Sequence, residues 1–177
     1  MFPDEFLTPR LRLRQIEPED RDAIFTGYAQ DAEVAKYMSW RPHGGPEETA
    51  GYIAACLAAA TAGSARTYVV LGRDDGALRG AFELRRPMPF RIDVGYTLAR
   101  PFWGQGLMTE ALREAVVWAK QQDGLFRIGC LCDVDNIGSA RVMEKSGMAR
   151  EGVLRRWLLH PNVSDEPRDC FSYAITW

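Results

Sequence analysis

Hydrophobic and polar residues alternate or recur along this chain in stretches that mark out its elements one by one. Leu11-Arg12-Leu13-Arg14-Gln15-Ile16 alternates with period two and predicts a strand. Glu17-Pro18-Glu19-Asp20 then opens a helix, with Pro in its first turn and Ala23, Ile24, Phe25 and Tyr28 as its apolar stripe. A short second helix is expected over Ala32 to Met38. Ser39 to Gly45 is a loop by its Gly and Pro content. Pro46 starts a third helix, in which Ile53, Cys56, Leu57 and Ala60 keep the spacing of one buried face and Gly63 is the stop.

The middle of the chain switches to strands. Thr67 to Leu71 is rich in β-branched residues, Asp74-Asp75-Gly76 is a turn, and Ala77 to Arg86 is the hairpin partner. Pro87-Met88-Pro89 is expected to break that strand, and Arg91 to Leu98 forms the next. Leu107, Ala111, Leu112, Ala115, Val116 and Ala119 share one face of a helix running from Leu107 to Gln121. Glu110 and Arg113 are expected to pair on its other face. A strand from Phe126 to Val134, a helix from Asn136 to Ser146 closed by Gly147, and strands over Gly152–Leu159 and Asp169–Trp177 complete the order. Hairpins with strand–helix–strand units predict a mixed α/β sheet, part antiparallel and part parallel, in a single domain spanning 1–177.

Bulk properties narrow the class. With 177 residues the chain buries enough surface to need no disulfide or metal staple, and none is expected. A net charge of −2 argues against a nucleic-acid partner. No stretch approaches the ~18 continuous apolar residues of a membrane span. The acidic N-terminus lacks a signal-peptide core, so the expected location is cytoplasmic. Cys130-x-Cys132 has no second pair and no nearby His, and reads as reduced thiols packed as small hydrophobes. His43 and His160 lie in loops with no partner close in sequence and are expected to face solvent.

The chemistry centres on Trp103-Gly104-Gln105-Gly106-Leu107-Met108-Thr109-Glu110-Ala111. Strand, glycine turn and helix N-terminus together present free backbone N–H groups to an anion such as a diphosphate. The stretch is not a dinucleotide fingerprint, because it lacks G-x-G-x-x-G, and not an NTPase loop, because no Gly-Lys-Ser/Thr follows.

Tyr96-Thr97-Leu98, followed by Pro101 to Ala111, resembles the acetyl-CoA signature of the GNAT superfamily of N-acetyltransferases, in its RimJ/RimL-like branch. Asn136-Ile137-Gly138-Ser139 through Lys145-Ser146-Gly147-Met148 resembles a second motif of that branch, and Thr8-Pro9-Arg10-Leu11-Arg12-Leu13-Arg14 its typical opening. The resemblance spans nearly the whole chain. Met108 departs from it, standing where the superfamily turn carries a small residue.

The resemblance implies a GNAT fold: a central, mostly antiparallel mixed sheet splayed at the cofactor site, with helices on both faces. It implies acetyl-CoA as co-substrate, with the backbone of Tyr96, Thr97 and Leu98 on the pantetheine arm. Gly104, Gln105, Gly106, Leu107, Met108 and Thr109 would then hold the pyrophosphate. Asn136 would bond the arm, and Ser139 would bond the cofactor and protonate the leaving thiolate. Asp93 is the first candidate for general base or amine-orienting group, Glu83 on the neighbouring strand is the alternative, and Asp133 is third. Tyr37 and Trp40 would line the acceptor pocket, with the loop from Leu159 to Pro167 as the other wall. The expected activity is direct acetyl transfer to a primary amine, either a protein N-terminal α-amine or a small molecule. The alternative is a non-catalytic acyl-CoA-binding sensor. Dimers are common in the branch, so the resemblance allows a homodimer, while the sequence leaves the oligomeric state open.

Overall fold

The computed structural model describes residues 2–177. Eight strands form one sheet: β1 (Glu5–Leu7), β2 (Leu11–Gln15), β3 (Ala65–Gly72), β4 (Leu78–Met88), β5 (Arg91–Leu98), β6 (Arg127–Asp133), β7 (Ala149–Leu158) and β8 (Arg168–Thr176). Their spatial order is β1-β2-β3-β4-β5-β6-β8-β7. Only β5 and β6 run parallel. The connection between them carries α4 (Leu107–Lys120), as a parallel crossover requires. The sheet is therefore mixed and mostly antiparallel, as the sequence implies.

The helices divide between the two faces. Helix α4 and α5 (Ile137–Lys145) pack on one core with Leu13, Tyr68, Phe82, Leu84, Ile92, Val94 and Ile128. On the opposite face α1 (Arg21–Ile24), α2 (Ala32–Ala35) and α3 (Pro46–Thr61) enclose a second core of Ile16, Ile24, Tyr28, Ile53, Val69 and Ala81. Alternation along the strands produces this split: Val69 faces one core while Tyr68 and Val70 face the other.

Several expectations need correction. Strand β1 was not foreseen, because three residues are too few to display a period; Phe6 buries itself from it. The single helix expected after Glu17 is three pieces, a 3₁₀ turn, α1 and a π-turn over Phe25–Ala29 that buries Tyr28. Helix α2 stops at Ala35, short of Met38. Pro87 does not end β4, since the ladder shifts register between Arg85 and Met88 and so demands no N–H from Pro87. Glu110 and Arg113 do not pair: Glu110 binds Arg10, and Arg113 caps the Lys145 carbonyl with Nη2 at 2.5 Å. All four cysteines are free and buried. No helix among the described residues is long and apolar enough to cross a membrane.

Candidate active site

The glycine turn joins β5 to α4. Gly104 and Gly106 have φ of 74° and 75°, the left-handed region that strains any residue with a Cβ. Among the described residues, none of the amides from Gly104 to Thr109 donates to a protein acceptor; the first helical bond is from Glu110 N to the Gly106 carbonyl. Six consecutive free N–H groups at the positive end of a 14-residue helix form an anion cradle. Met108 is 3% exposed and Leu107 6%, both packed in the core. The bulk of Met108 therefore points away from the cradle. Thr109 is also buried. Arg10 Nη1 holds the Gln105 carbonyl at 3.0 Å, and Gln105 Nε2 donates to the Pro101 carbonyl at 2.9 Å. Trp103 Nε1 donates to the Leu98 carbonyl at 2.6 Å, so that carbonyl already has a partner.

Next to the cradle the sheet opens. β5 pairs with β6 only from Arg91 to Val94, opposite Arg127 to Cys130. Gly95, Tyr96, Thr97 and Leu98 continue the ladder with β4 alone. Apart from the Leu98 carbonyl held by Trp103, their edge facing β6 is free to pair with an extended ligand arm. Across the opening, Asn136 caps α5 by accepting from Ser139 N at 3.1 Å. The Tyr96 hydroxyl spans the opening and lies 2.7 Å from Ser139 Oγ and 3.2 Å from the Ser139 carbonyl oxygen. Burial pushes the Tyr96 hydroxyl well above the usual phenol range, and Cys130 and Cys132 nearby are pushed up to about 12, again chiefly by burial.

The opposite face presents the carboxylates. Glu83 stands across from Gly95, level with the start of the opening, and pairs with Arg85 Nη1 at 2.7 Å. Asp93 stands across from Arg85 and Gly129, where β5 and β6 are still joined, and pairs with Arg91 Nη2 at 2.7 Å. Tyr52 and Cys56 of α3 lie close enough for Glu83 to disfavour their ionised forms, adding to burial, which is the main cause. Trp40 and Tyr52 flank His43, with ring centroids 5.4 and 6.1 Å away. Met38 Sδ lies 3.8 Å from Thr97 Oγ1. Tyr37 is half-buried, with Lys36 Nζ 5.4 Å from its ring. Asn162 Nδ2 donates to the carbonyls of Ala35 and Trp40, both at 2.7 Å, and clasps the two loops together.

Neither histidine is a solvent residue. His43 Nδ1 meets Thr49 Oγ1 at 2.8 Å. His160 is 2% exposed, with Nε2 3.7 Å from Asp133 Oδ2 and 3.9 Å from Cys170 Sγ. Asp133 is itself fully buried; burial raises its carboxyl, but hydrogen bonds from Arg168 and Asp135 N outweigh that and hold it low. The roles of Arg10 and Asn162 have no local signal, since their partners lie about a hundred residues away or more. Among the described residues no group of three His, Cys, Asp or Glu is placed to hold a metal.

Comparisons with known proteins agree with this geometry. Residues 10–149 match the family described as Acetyltransferase (GNAT) domain. The uncharacterized N-acetyltransferase YoaA of Bacillus subtilis is 30% identical over 99% of this chain and 97% of its own length. The ribosomal-protein-serine acetyltransferase of Escherichia coli is 29% identical over 53% of this chain and 52% of its own. RimL, the ribosomal L7/L12 α-N-protein acetyltransferase solved in complex with coenzyme A, superposes with a TM-score of 0.83 at 20% identity, covering 97% of this chain and 96% of RimL. A sheet splayed beside an amide cradle, with these matches, places the chain in the GNAT acetyltransferase family.

Proposed function

We propose that the protein is a single-domain N-acetyltransferase that moves an acetyl group directly from acetyl-CoA to a primary amine in a ternary complex. The free amides of Gly104 to Thr109, adjoining the open edge of β5, carry this reading. They fit a diphosphate and the extended arm attached to it, because one needs unpaired N–H groups and the other a strand edge. A free N–H at the start of the opening would stabilise the thioester oxyanion. Asn136 and Ser139 stand on the β6 side of the arm, with the Ser139 hydroxyl nearest the departing sulfur.

Glu83 is the better placed of the two carboxylates to receive the amine. It is level with Gly95, where the open edge begins, whereas Asp93 sits within the closed part of the sheet. Tyr37, Trp40 and the Asn162 loop would enclose the acceptor on the same face. The acceptor class is a protein N-terminal α-amine or a small-molecule amine. The ribosomal-protein acetyltransferase among the relatives supports the first. Four unpaired cysteines suit a reducing, cytoplasmic setting, and the exposed edge strand β7 leaves room for a homodimer.

Initial rates over a grid of acetyl-CoA and amine concentrations test direct transfer. Intersecting reciprocal plots are expected. Parallel plots, the mark of a covalent acetyl-enzyme, would reject it.

A further inference from the structure

We infer that Tyr96 is a positioning residue for proton transfer to the departing thiol, its phenol fixing the Ser139 hydroxyl at the mouth of the opened strand edge. The inference rests on the acetyl-transfer reading above.

The two hydroxyls come from opposite sides of the splay. Tyr96 belongs to β5, and Ser139 to the first turn of α5 beyond β6. The Tyr96 oxygen lies 3.2 Å from the Ser139 carbonyl and 2.7 Å from its Oγ. Either hydroxyl can donate in the shorter contact; with the phenol donating to Oγ, the seryl hydrogen is left for the sulfur. Ser139 N is meanwhile held by Asn136 Oδ1. Backbone and side chain of Ser139 are thus both tied, and the seryl rotor is fixed before any ligand arrives.

The transfer step forms a C–N bond and breaks the C–S bond. One proton leaves the amine nitrogen and one reaches the sulfur. The Ser139 hydroxyl gives its proton to the sulfur, the nitrogen's proton passes to Glu83, and exchange with water restores both groups. Tyr96 stays protonated throughout, because a phenolate in its buried surroundings is disfavoured. It therefore aims the seryl donor and does not supply the proton.

The test compares wild type, Tyr96→Phe, Ser139→Ala and the double variant. Phe keeps the ring and loses only the hydroxyl. Tyr96→Phe should lower kcat by about tenfold while CoA affinity and the thermal midpoint hold. Ser139→Ala should lose as much or more, and the double variant no more than Ser139→Ala alone. Additive losses, or a fall in CoA affinity with kcat unchanged, would make Tyr96 merely structural and overturn the inference.

A second readout needs no acceptor. The ultraviolet absorbance of the CoA thiolate, followed against pH in the bound complex, should show the thiol titrating about one unit higher in Tyr96→Phe than in wild type. An unchanged titration overturns the inference even if amines are acetylated. A shifted titration with no amine turnover in wild type would instead uphold the Tyr96–Ser139 arrangement and reject acetyl transfer.

Discussion

Arg10 and Glu110, a hundred residues apart, lock the entry of β2 to the first turn of α4. Glu110 Oε1 accepts from Arg10 N at 2.9 Å and from the Thr8 hydroxyl at 2.5 Å, and Oε2 accepts from Arg10 Nε at 2.7 Å. Because Arg10 also holds the Gln105 carbonyl, this knot braces the glycine turn from outside. Glu110→Gln sets donor against donor there and should cost about 1.5–3 kcal/mol. That is roughly 3–10 °C in thermal midpoint for a domain of this size.

The same knot predicts a pH dependence. Partial burial raises the Glu110 carboxyl, but the Thr8 and Arg10 hydrogen bonds outweigh it and hold the folded value below the usual carboxylate range. A depressed carboxyl contributes stability that is fully present above its unfolded value, about 4.3. That contribution disappears as pH falls through the folded value. Melting curves of wild type and Glu110→Gln should therefore differ fully at pH 7 and converge below about pH 4. A gap that persists at low pH would show that shape, not charge, holds the turn.

At Gly106 two effects must be separated. Its φ of 75° strains any side chain, so Gly106→Ala alone should weaken CoA binding several-fold and cost about 1–2 kcal/mol of stability. Gly106→Glu carries the same strain and adds a carboxylate beside the proposed phosphate site. Titration calorimetry should find its CoA affinity at least about a hundredfold below that of Gly106→Ala, the equivalent of about 2.7 kcal/mol. Equal affinities in the two variants would mean that the phosphates bind elsewhere.

The two carboxylates should separate kinetically. Glu83→Gln is expected to lower kcat/KM for the amine by about 10² or more, the usual reach of a proton acceptor. Asp93→Asn should change it by less than about threefold, since Asp93 lies below the opening and is engaged by Arg91. The reverse ranking would return the amine site to Asp93.

Asn162 joins its own loop to the segment after α2, the two proposed as walls of the acceptor pocket. Asn162→Ala removes the donor that the Ala35 and Trp40 carbonyls share, Ala35 keeping only Met38 N. KM for the amine should rise about tenfold, while the affinity for CoA stays within about twofold. A loss confined to CoA binding would place this clasp on the donor side.

Periodicity and turn chemistry made most of the frame legible. Strand β5 runs over Arg91–Leu98 as alternation predicts, and α4 begins at Leu107, straight after the glycine turn. The chain could not disclose what depends on distant partners. Glu110 reads locally as a mate for Arg113, three residues on, yet Arg10 wins it because the β1–β2 turn packs against α4. His160 reads as a loop residue, and only the fold reveals Asp133 and Cys170 beneath it. Tyr96 was read for its backbone alone. Its hydroxyl meets Ser139 because the fold sets α5 on the far side of the splay.

Thiol release measures acetyl transfer from acetyl-CoA to an amine most directly. The protein is mixed with acetyl-CoA and a panel of α-amino peptides, amino acids and polyamines, and free CoA thiol is followed against amine-free controls. Amine-dependent release matched one-to-one by N-acetylated product is the expected result. Saturable acetyl-CoA binding without amine-dependent release for any member of the panel would contradict it and leave a sensor of acyl-CoA.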